Sequence, residues 1–336
     1  MAKVLVTGGA GFIGHHLVEY LLQYTEHEIY ILDRLDFSGN LNRIKHVVDQ
    51  DSSYEPRVKF IWHDLKAPVN DFIAVQLKDI EYVLHLAAGS HVDRSITHPM
   101  EFVMDNVVGT ANLLDYCRTT IKDSLKFFLY FSTDEVFGTA PDDVLYKEWD
   151  RYNSGNPYSA SKAGAEELCL AYANTYDLPI HITHTMNVVG IRQHPEKFLP
   201  LVVRKLMSDE KVYIHASPDL TISGSRFYID VKDVCDAVYF LMEYCVENNV
   251  PTDKFNIVGS KEISNLDLSK MVAEAMECNL IYEMVDFHSS RPGHDLRYSL
   301  CGEKMRDLGW EPHPIEDRIK EFVKWYVDEN NAEWLF

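Results

Sequence analysis

The chain has 336 residues, 46% of them hydrophobic and 25% charged, with 32 basic against 52 acidic side chains and a formal net charge of -20. Such a composition is that of an ordinary globular protein, and a chain of this length buries roughly 75% of its unfolded surface, enough for one large core and a smaller companion domain. The acidic excess argues against non-specific binding to nucleic acid or anionic membranes, so any anionic ligand must be held by locally placed donors.

The first predicted element is a strand, Lys3–Thr7. It runs into a Gly-x-x-Gly-x-x-Gly turn (Gly8, Gly11, Gly14) and an amphipathic helix over Phe12–Tyr24. Between a strand and a helix, such a turn lets the backbone approach a pyrophosphate while the helix N-terminus faces its charge. The second strand, Glu28–Asp33, ends on a carboxylate at the place where dinucleotide sites hold the adenosine ribose hydroxyls. Asp33 would therefore favour NAD over NADP, and the adjacent Arg34 weakens that preference. Asp64 follows the third strand, Arg57–Trp62, and reads equally as a contact to the adenine amine or as a helix cap. Next come a strand at Tyr82–Leu86, a helix at Met100–Thr119 with Val103, Val107, Ala111 and Leu114 on one face, and a strand at Lys126–Ser132. A helix at Tyr158–Tyr176 and strands at Pro179–Met186 and Lys254–Val258 complete the series. Strands alternating with helices imply a parallel sheet. Past about Asn187 the alternation loosens, and the rest reads as loops and helices built over a pocket.

No apolar run approaches the ~18 residues of a membrane span, and a strand beginning at Lys3 leaves no room for a signal peptide. A soluble, cytoplasmic protein is expected. The six cysteines (Cys117, Cys169, Cys235, Cys245, Cys278, Cys301) show no C-x-x-C pair and read as reduced buried thiols. His184, His194 and His215 are too isolated to form a metal site, and His15, His16 and His91 read as packing or polar-network residues.

The chemistry concentrates at Thr133-Asp134-Glu135, on the end of a predicted strand, and at Tyr158-Ser159-Ala160-Ser161-Lys162. Tyr158 and Lys162 are four apart and share a helix face, so the ammonium is expected to depress the phenol and make Tyr158 a base near neutrality. That pair suffices for hydride-transfer chemistry. Two further carboxylates at the same place imply a second proton transfer, such as removal of a carbon-bound proton with expulsion of water.

Six stretches occur in the order seen in the extended short-chain dehydrogenase/reductase superfamily. They are Thr7 to Gly14, Leu86 to Ser95, Ser132 to Gly138, Tyr158 to Ala163, Pro195 to Phe198, and Arg291-Pro292-Gly293-His294-Asp295. The chain resembles that superfamily over essentially its whole length. Within it, Thr-Asp-Glu resembles the nucleotide-sugar 4,6-dehydratases, the group that includes the dTDP-glucose enzymes. The 4-epimerases usually carry small or hydroxylic residues there, UDP-glucuronate decarboxylases Thr-Ser-Glu and CDP-glucose dehydratases Asp-Lys.

The resemblance implies an α/β fold, a Rossmann-type doubly wound parallel sheet with a smaller C-terminal α/β substrate-binding domain. Residues 1–186, with a return segment at about 225–258, would bind NAD; 187–224 and 259–336 would bind the nucleotide sugar. Phe12, Ile13, Leu86, Ala87 and Ala88 would join Gly8, Gly11, Gly14, Asp33, Asp64, Tyr158 and Lys162 around a tightly held NAD. The implied reaction converts an NDP-hexose, dTDP- or UDP-glucose, to its 4-keto-6-deoxy form. Tyr158 would take the proton of the 4-hydroxyl with Thr133 on the C4 oxygen. Glu135 would remove the C5 proton, and Asp134, its pKa raised by burial and its carboxylate neighbour, would protonate the departing C6 hydroxyl. Ser90, Asn187, Lys197, Phe198, Arg226, Asn256, Arg291 and His294 would hold the nucleotide sugar, with Arg226 and Arg291 on the diphosphate. A homodimer packed through the helices at Met100–Thr119 and Tyr158–Tyr176 is implied as well. The alternative activity is an NDP-sugar 4-epimerase or UDP-glucuronate decarboxylase. Four positions depart from the dehydratase pattern: Gly89 replaces an acidic residue, Asp105 a Thr, Asn187-Val188-Val189-Gly190-Ile191 a turn with Tyr and Pro, and Val212-Tyr213-Ile214-His215 a base-side segment.

Overall fold

The computed structural model describes residues 1–286 and 296–334. Arg291 and His294, both expected at the ligand, lie outside the described residues. The chain forms two compact units, one of Met1–Val136, Asn156–His184 and Cys235–Phe255, the other of Phe137–Gly155, Thr185–Val234 and Asn256–Phe336.

The first unit is built on β1 (Lys3–Thr7), β2 (Glu28–Asp33), β3 (Val58–Trp62), β4 (Tyr82–His85), β5 (Phe127–Thr133) and β6 (Ile180–Thr185). A seventh strand, Asp253–Ile257, lies at the edge beside β6, and the order continues β5, β4, β1, β2, β3. The pairings of β1 with β2 and β4, of β2 with β3 and of β4 with β5 are all parallel. The sheet is the Rossmann-type doubly wound one the sequence implies. Val4, Leu5 and Val6 have no exposed surface; helices cover both faces of a parallel sheet, so its strands are apolar throughout instead of alternating. Each such side chain contributes about 1.5–3 kcal/mol by leaving water. The strand order reverses at β1, with β2 on one side and β4 on the other. This switch point opens a crevice at the carboxyl ends of β1 and β4, where ligands of open α/β sheets bind.

The predicted helix at Met100–Thr119 is continuous but not uniform. Helical turns at Pro99–Phe102 and Gly109–Thr120 flank a π-helical stretch at Val103–Val108. Such a stretch carries i→i+5 bonds and often marks a functional site. Among the cysteines, Cys278 is exposed and the other five are buried, which corrects the expectation of six buried thiols: Cys278 lies just beyond the helix Asn265–Ala275.

The second unit packs the helices Phe198–Met207, Asn265–Ala275 and Glu316–Val327 around Val203, Ile214, Val272, Phe322 and Tyr326. The strand Val212–Ala216 pairs in parallel with Tyr282–Asp286, and two-residue ladders join Val188–Val189 to Ile229–Asp230 and Ser225–Arg226 to Ile263–Ser264. Alternation over two residues carries no signal, so these strands escape a reading by periodicity. Phe137–Gly155, which precedes the Tyr158 helix in sequence, belongs to this unit. Phe137 stacks on Tyr146, Tyr146 donates its amide to the Ser299 carbonyl at 3.1 Å, and Cys301 donates to the Tyr146 carbonyl at 2.8 Å.

Candidate active site

The glycine turn after β1 is shaped by close approach. Gly8 has φ +71°, and a Cβ there would lie 2.8 Å from the Ala87 amide nitrogen; a Cβ at Gly14 would lie 2.2 Å from the Gly8 carbonyl oxygen. Neither position admits a side chain. Gly11 precedes the helix Phe12–Tyr24 without a side-chain cap, so the helix begins with amide donors turned toward the turn itself. This cradle fits a dinucleotide diphosphate. Phe12, Ile13, Leu86, Ala87 and Ala88 are half-buried around it. Beneath it, Thr7 Oγ1 lies 2.7 Å from His85 Nδ1, and His85 Nε2 lies 2.9 Å from Thr110 Oγ1. Thr110 donates its own proton to the Asn106 carbonyl, so His85 carries its proton on Nε2 and accepts from Thr7. Burial, reinforced by the charge of Lys162, lowers the His85 pKa to about 3 and keeps the ring neutral.

Asp33 ends β2 as expected, and its two oxygens accept from the amides of Ala10 at 3.0 Å and Leu35 at 2.8 Å. Burial raises its pKa against these bonds. Arg34 reaches Asp105 with both terminal nitrogens, at 2.5 and 2.7 Å, and also binds Asp36. Asp64 lies 3.6 Å from Arg34 and 3.3 Å from Lys66. An added Cβ at Gly89 would sit 3.2 Å from the Phe102 ring and 3.3 Å from Asp105 Oδ2. A side chain at 89 would press on both Phe102 and Asp105, which couples two of the sequence departures. The neighbouring Asn106, 1% exposed, accepts from the Gly89 amide at 2.8 Å and donates to the Gly89 carbonyl at 3.1 Å and to Ser161 Oγ at 2.8 Å. The π-helical stretch thus braces the end of β4 against the Tyr158 helix.

β5 carries Thr133 to the same end of the sheet, and Asp134 and Glu135 follow in a 3-10 turn. Thr133 Oγ1 lies 3.0 Å from Asp134 Oδ1 and accepts from the Glu135 amide at 3.3 Å. Asn156 joins this turn to the helix Pro157–Tyr176. Its Oδ1 accepts from the Ser159 amide at 2.8 Å in a reciprocal capping box, while its Nδ2 donates to Glu135 Oε2 at 3.0 Å. Sequence reading missed Asn156; the signal was an Asn followed by Pro157 at a helix start. Tyr158 is 9% exposed and packs edge-on to Phe102 at 6.4 Å.

The expected depression of the Tyr158 phenol is not what the structure shows. Burial pushes its pKa well above 10, Glu135 and Asp134 push it further, and only a hydrogen bond with Thr133 pulls it down. Lys162 instead donates to the Phe131 carbonyl at 2.7 Å, with its ammonium 4.2 Å from the Tyr130 ring centroid. Burial lowers its own pKa to about 8, partly offset by Glu166 and Cys169. Glu166, another turn along the same face, is fully buried. It binds Ser132 Oγ, lies 3.1 Å from His184 Nε2 and accepts from Lys254 Nζ at 3.5 Å. Burial alone would raise its carboxyl; His184, Lys254 and Ser132 outweigh that and hold it at about 2. Neither Glu166 nor His184 stood out in sequence, because their partners come from β5, β6 and the distant edge strand.

Residues 5–322 match the family model described as GDP-mannose 4,6 dehydratase. The chain belongs to that family. Among its dehydratase relatives, the dTDP-glucose 4,6-dehydratase of Escherichia coli is 33% identical over 360 residues, covering 99% of this chain and 95% of the relative. The low-salt glycan biosynthesis protein Agl12 of Haloferax volcanii is 36% identical over 330 residues, covering 97% and 99%. The crystal structure of DesIV, a dTDP-glucose 4,6-dehydratase from Streptomyces venezuelae with NAD and TYD bound, superposes with a TM-score of 0.85 at 32% identity, covering 99% and 98%.

Of the positions that the dehydratase resemblance assigns to the nucleotide sugar, Ser90 lies exposed in the first unit, just past β4. The others that are described belong to the second unit. Asn187 and Lys197 are exposed and Phe198 is half-buried at the start of the helix Phe198–Met207. Arg226 donates to the carbonyls of Ser225 at 2.6 Å and Leu296 at 2.7 Å, with its guanidinium 4.6 Å from the Tyr298 ring centroid. Asn256 is fully buried, and its Nδ2 donates to the carbonyls of Tyr146 at 3.0 Å and Cys301 at 3.1 Å, tying two backbone segments together.

Proposed function

We propose that this protein is an NAD-dependent nucleotide-sugar 4,6-dehydratase that converts an NDP-hexose, dTDP- or UDP-glucose, to the NDP-4-keto-6-deoxy sugar. The observation that carries the reading is the pair Asp134 and Glu135, held in one turn after β5 and tied to the Tyr158 helix through Thr133 and Asn156. The glycine cradle and Asp33 would hold NAD, which when bound would supply the acceptor for the C4 hydride and the donor for its return at C6. Tyr158 accepts the proton of the 4-hydroxyl, and Thr133 stabilises the developing oxygen charge. Because burial, and after it Glu135 and Asp134, hold its resting phenol high, Tyr158 would need the positive charge of Lys162 and of a bound oxidised cofactor to act as a base. Glu135, fixed by the Asn156 amide, removes the C5 proton and later returns it, and Asp134 protonates the departing C6 oxygen. Ser90, Asn187, Lys197, Phe198 and Arg226 hold the nucleotide sugar. The enzyme works in the cytoplasm as a homodimer; Ile96, Met100, Val103 and Met104 are exposed on and near the helix through which the resemblance implies pairing.

The test is mass spectrometry of the purified protein with dTDP-glucose and UDP-glucose in parallel, without added NAD. Loss of one water from either supports the dehydratase and names its nucleotide. An isomer of unchanged mass, resolved from the donor by chromatography ahead of the spectrometer, would mean a 4-epimerase, and loss of carbon dioxide from UDP-glucuronate, run as a third donor, a decarboxylase. No change with any donor, even with NAD supplied, sinks the enzymatic reading.

A further inference from the structure

Arg34 follows the carboxylate that ends β2, the place from which an arginine accommodates the 2′-phosphate of NADP. Its guanidinium is committed elsewhere. Asp105 takes both terminal nitrogens in a bidentate pair, Asp36 takes Nε and shares Nη2 with Asp105, and Asp64 stands 3.6 Å away. Asp105 is the most sheltered of these carboxylates, with a side chain 6% exposed against 43% for Asp36 and 31% for Asp64. A bidentate carboxylate is the strongest partner a guanidinium finds, and shelter from water strengthens the pair.

The position of Asp105 is fixed from two sides. It lies in the π-helical stretch Val103–Val108, where its neighbour Asn106 is pinned to Gly89 by two hydrogen bonds. Gly89 gives the Asp105 carboxylate room, since a Cβ there would lie 3.3 Å from Oδ2 and press on it. The loop that carries Arg34 is fixed as well: Asp33 accepts from the amides of Ala10 and Leu35, and Asn40 donates its amide to the Ala10 carbonyl at 3.0 Å. Arg34 thus stands beside the glycine turn. Asp33, Asp36, Asp64 and Asp105 gather about Arg34, with Lys66 3.8 Å from Asp105 and Arg43 spent on the Ala10 and Ser38 carbonyls.

We propose that Asp105, seconded by Asp36, is a cofactor-selectivity residue that neutralises Arg34 and makes the adenosine end of the site reject NADP. A 2′-phosphate brings roughly two negative charges at pH 7. To bind, it would have to take Arg34 from Asp105 and leave that sheltered carboxylate without its strongest partner. NAD asks only for hydroxyl recognition and leaves the pair intact. The proposal rests on the NAD reading above.

The test is a competition on the full-length protein. Each variant is equilibrated with equal concentrations of NAD and NADP, separated from free ligand and denatured, and the released dinucleotides are quantified by mass spectrometry. The wild type is expected to release NAD. Asp105→Asn should raise the NADP to NAD ratio at least about tenfold, and Asp36→Asn by a smaller factor of about three. Asp105→Asn with Arg34→Ala should return to the wild-type ratio, because the phosphate partner is then gone. A ratio within about twofold of wild type in Asp105→Asn that still holds NAD overturns the proposal. So does a ratio that stays high when Arg34 is also removed, since the effect would then be net charge alone. If Asp105→Asn holds neither dinucleotide, Asp36→Asn decides, and an unchanged ratio there is equally fatal. A wild type that holds neither NAD nor NADP defeats the cofactor reading itself, a result distinct from all of these.

Discussion

Glu166 and Arg34 each sit among opposite charges in the first unit, the one with a side chain at 0% exposure and the other at 21%. The ingredients match, yet the surroundings assign them different work. Around Glu166, water is absent as a competitor, so each of Ser132, His184 and Lys254 is needed to solvate the carboxylate, and losing one leaves a buried charge uncompensated. Around Arg34, solvent and salt share part of the load, so the exposed partner Asp36 can be lost at small cost in stability while the sheltered Asp105 remains the partner that is hard to displace. A charged group that must not move belongs in the first setting; one whose partner decides what binds belongs in the second.

Substitutions on the buried side should therefore cost most. Tyr158→Phe is expected to lower turnover of the NDP-hexose by about 10²–10⁴-fold while leaving the fold intact, which a steady-state assay paired with circular dichroism would show. Asp134→Asn should slow water loss by about 10²-fold or more yet still allow oxidation at C4. Reduced nicotinamide absorbance would then build up after substrate is added; undiminished dehydration would remove Asp134 from its role as acid.

Glu166→Gln breaks the buried cluster and should cost about 3–5 kcal/mol of stability by denaturant titration at pH 7. The pH dependence follows from the carboxyl being held at about 2 against an ordinary 4.5. Its stabilisation is complete above the ordinary value and is lost as pH falls through the folded one, so the wild type should lose stability between those limits and Glu166→Gln should lose less. Lys162 works in the opposite sense. Its folded pKa of about 8 lies below the ordinary 10.5, so the unfolded chain binds more protons between these values and stability rises with pH across that window. Lys162→Met should flatten the rise in thermal midpoint, and an identical slope would contradict the burial of that ammonium. The smallest effect belongs to the exposed side: Asp36→Ala should change stability by less than about 1 kcal/mol, and by still less in high salt.

Much of this contrast was invisible in sequence. β1, β2 and the helix Phe12–Tyr24 lie on their predicted residues, because runs such as Val4-Leu5-Val6 and an amphipathic helix state their periods locally. Thr133, Asp134, Glu135 and Tyr158 were legible for the same reason, being placed by a strand end and a helix start close along the chain. The partners of Glu166 come from three strands, and the contact from Asp105 to Arg34 spans 71 positions. No local pattern encodes either. The phenol of Tyr158 misled for a related reason: the i,i+4 rule puts Lys162 on its face, while the depth of the helix sends that ammonium to Phe131.

The π-helical stretch at Val103–Val108 has an evolutionary consequence. A wide turn amounts to an insertion stored inside a helix, so deleting one residue there would let ordinary winding resume while the flanking turns keep their facing. Such a deletion would remove the extra backbone on which Asp105 and Asn106 stand, and with it the simultaneous reach of Asp105 to Arg34 and of Asn106 to Gly89. Lineages that carry Gly89 with Asp105 should therefore vary in side chains along this stretch and hold its length constant.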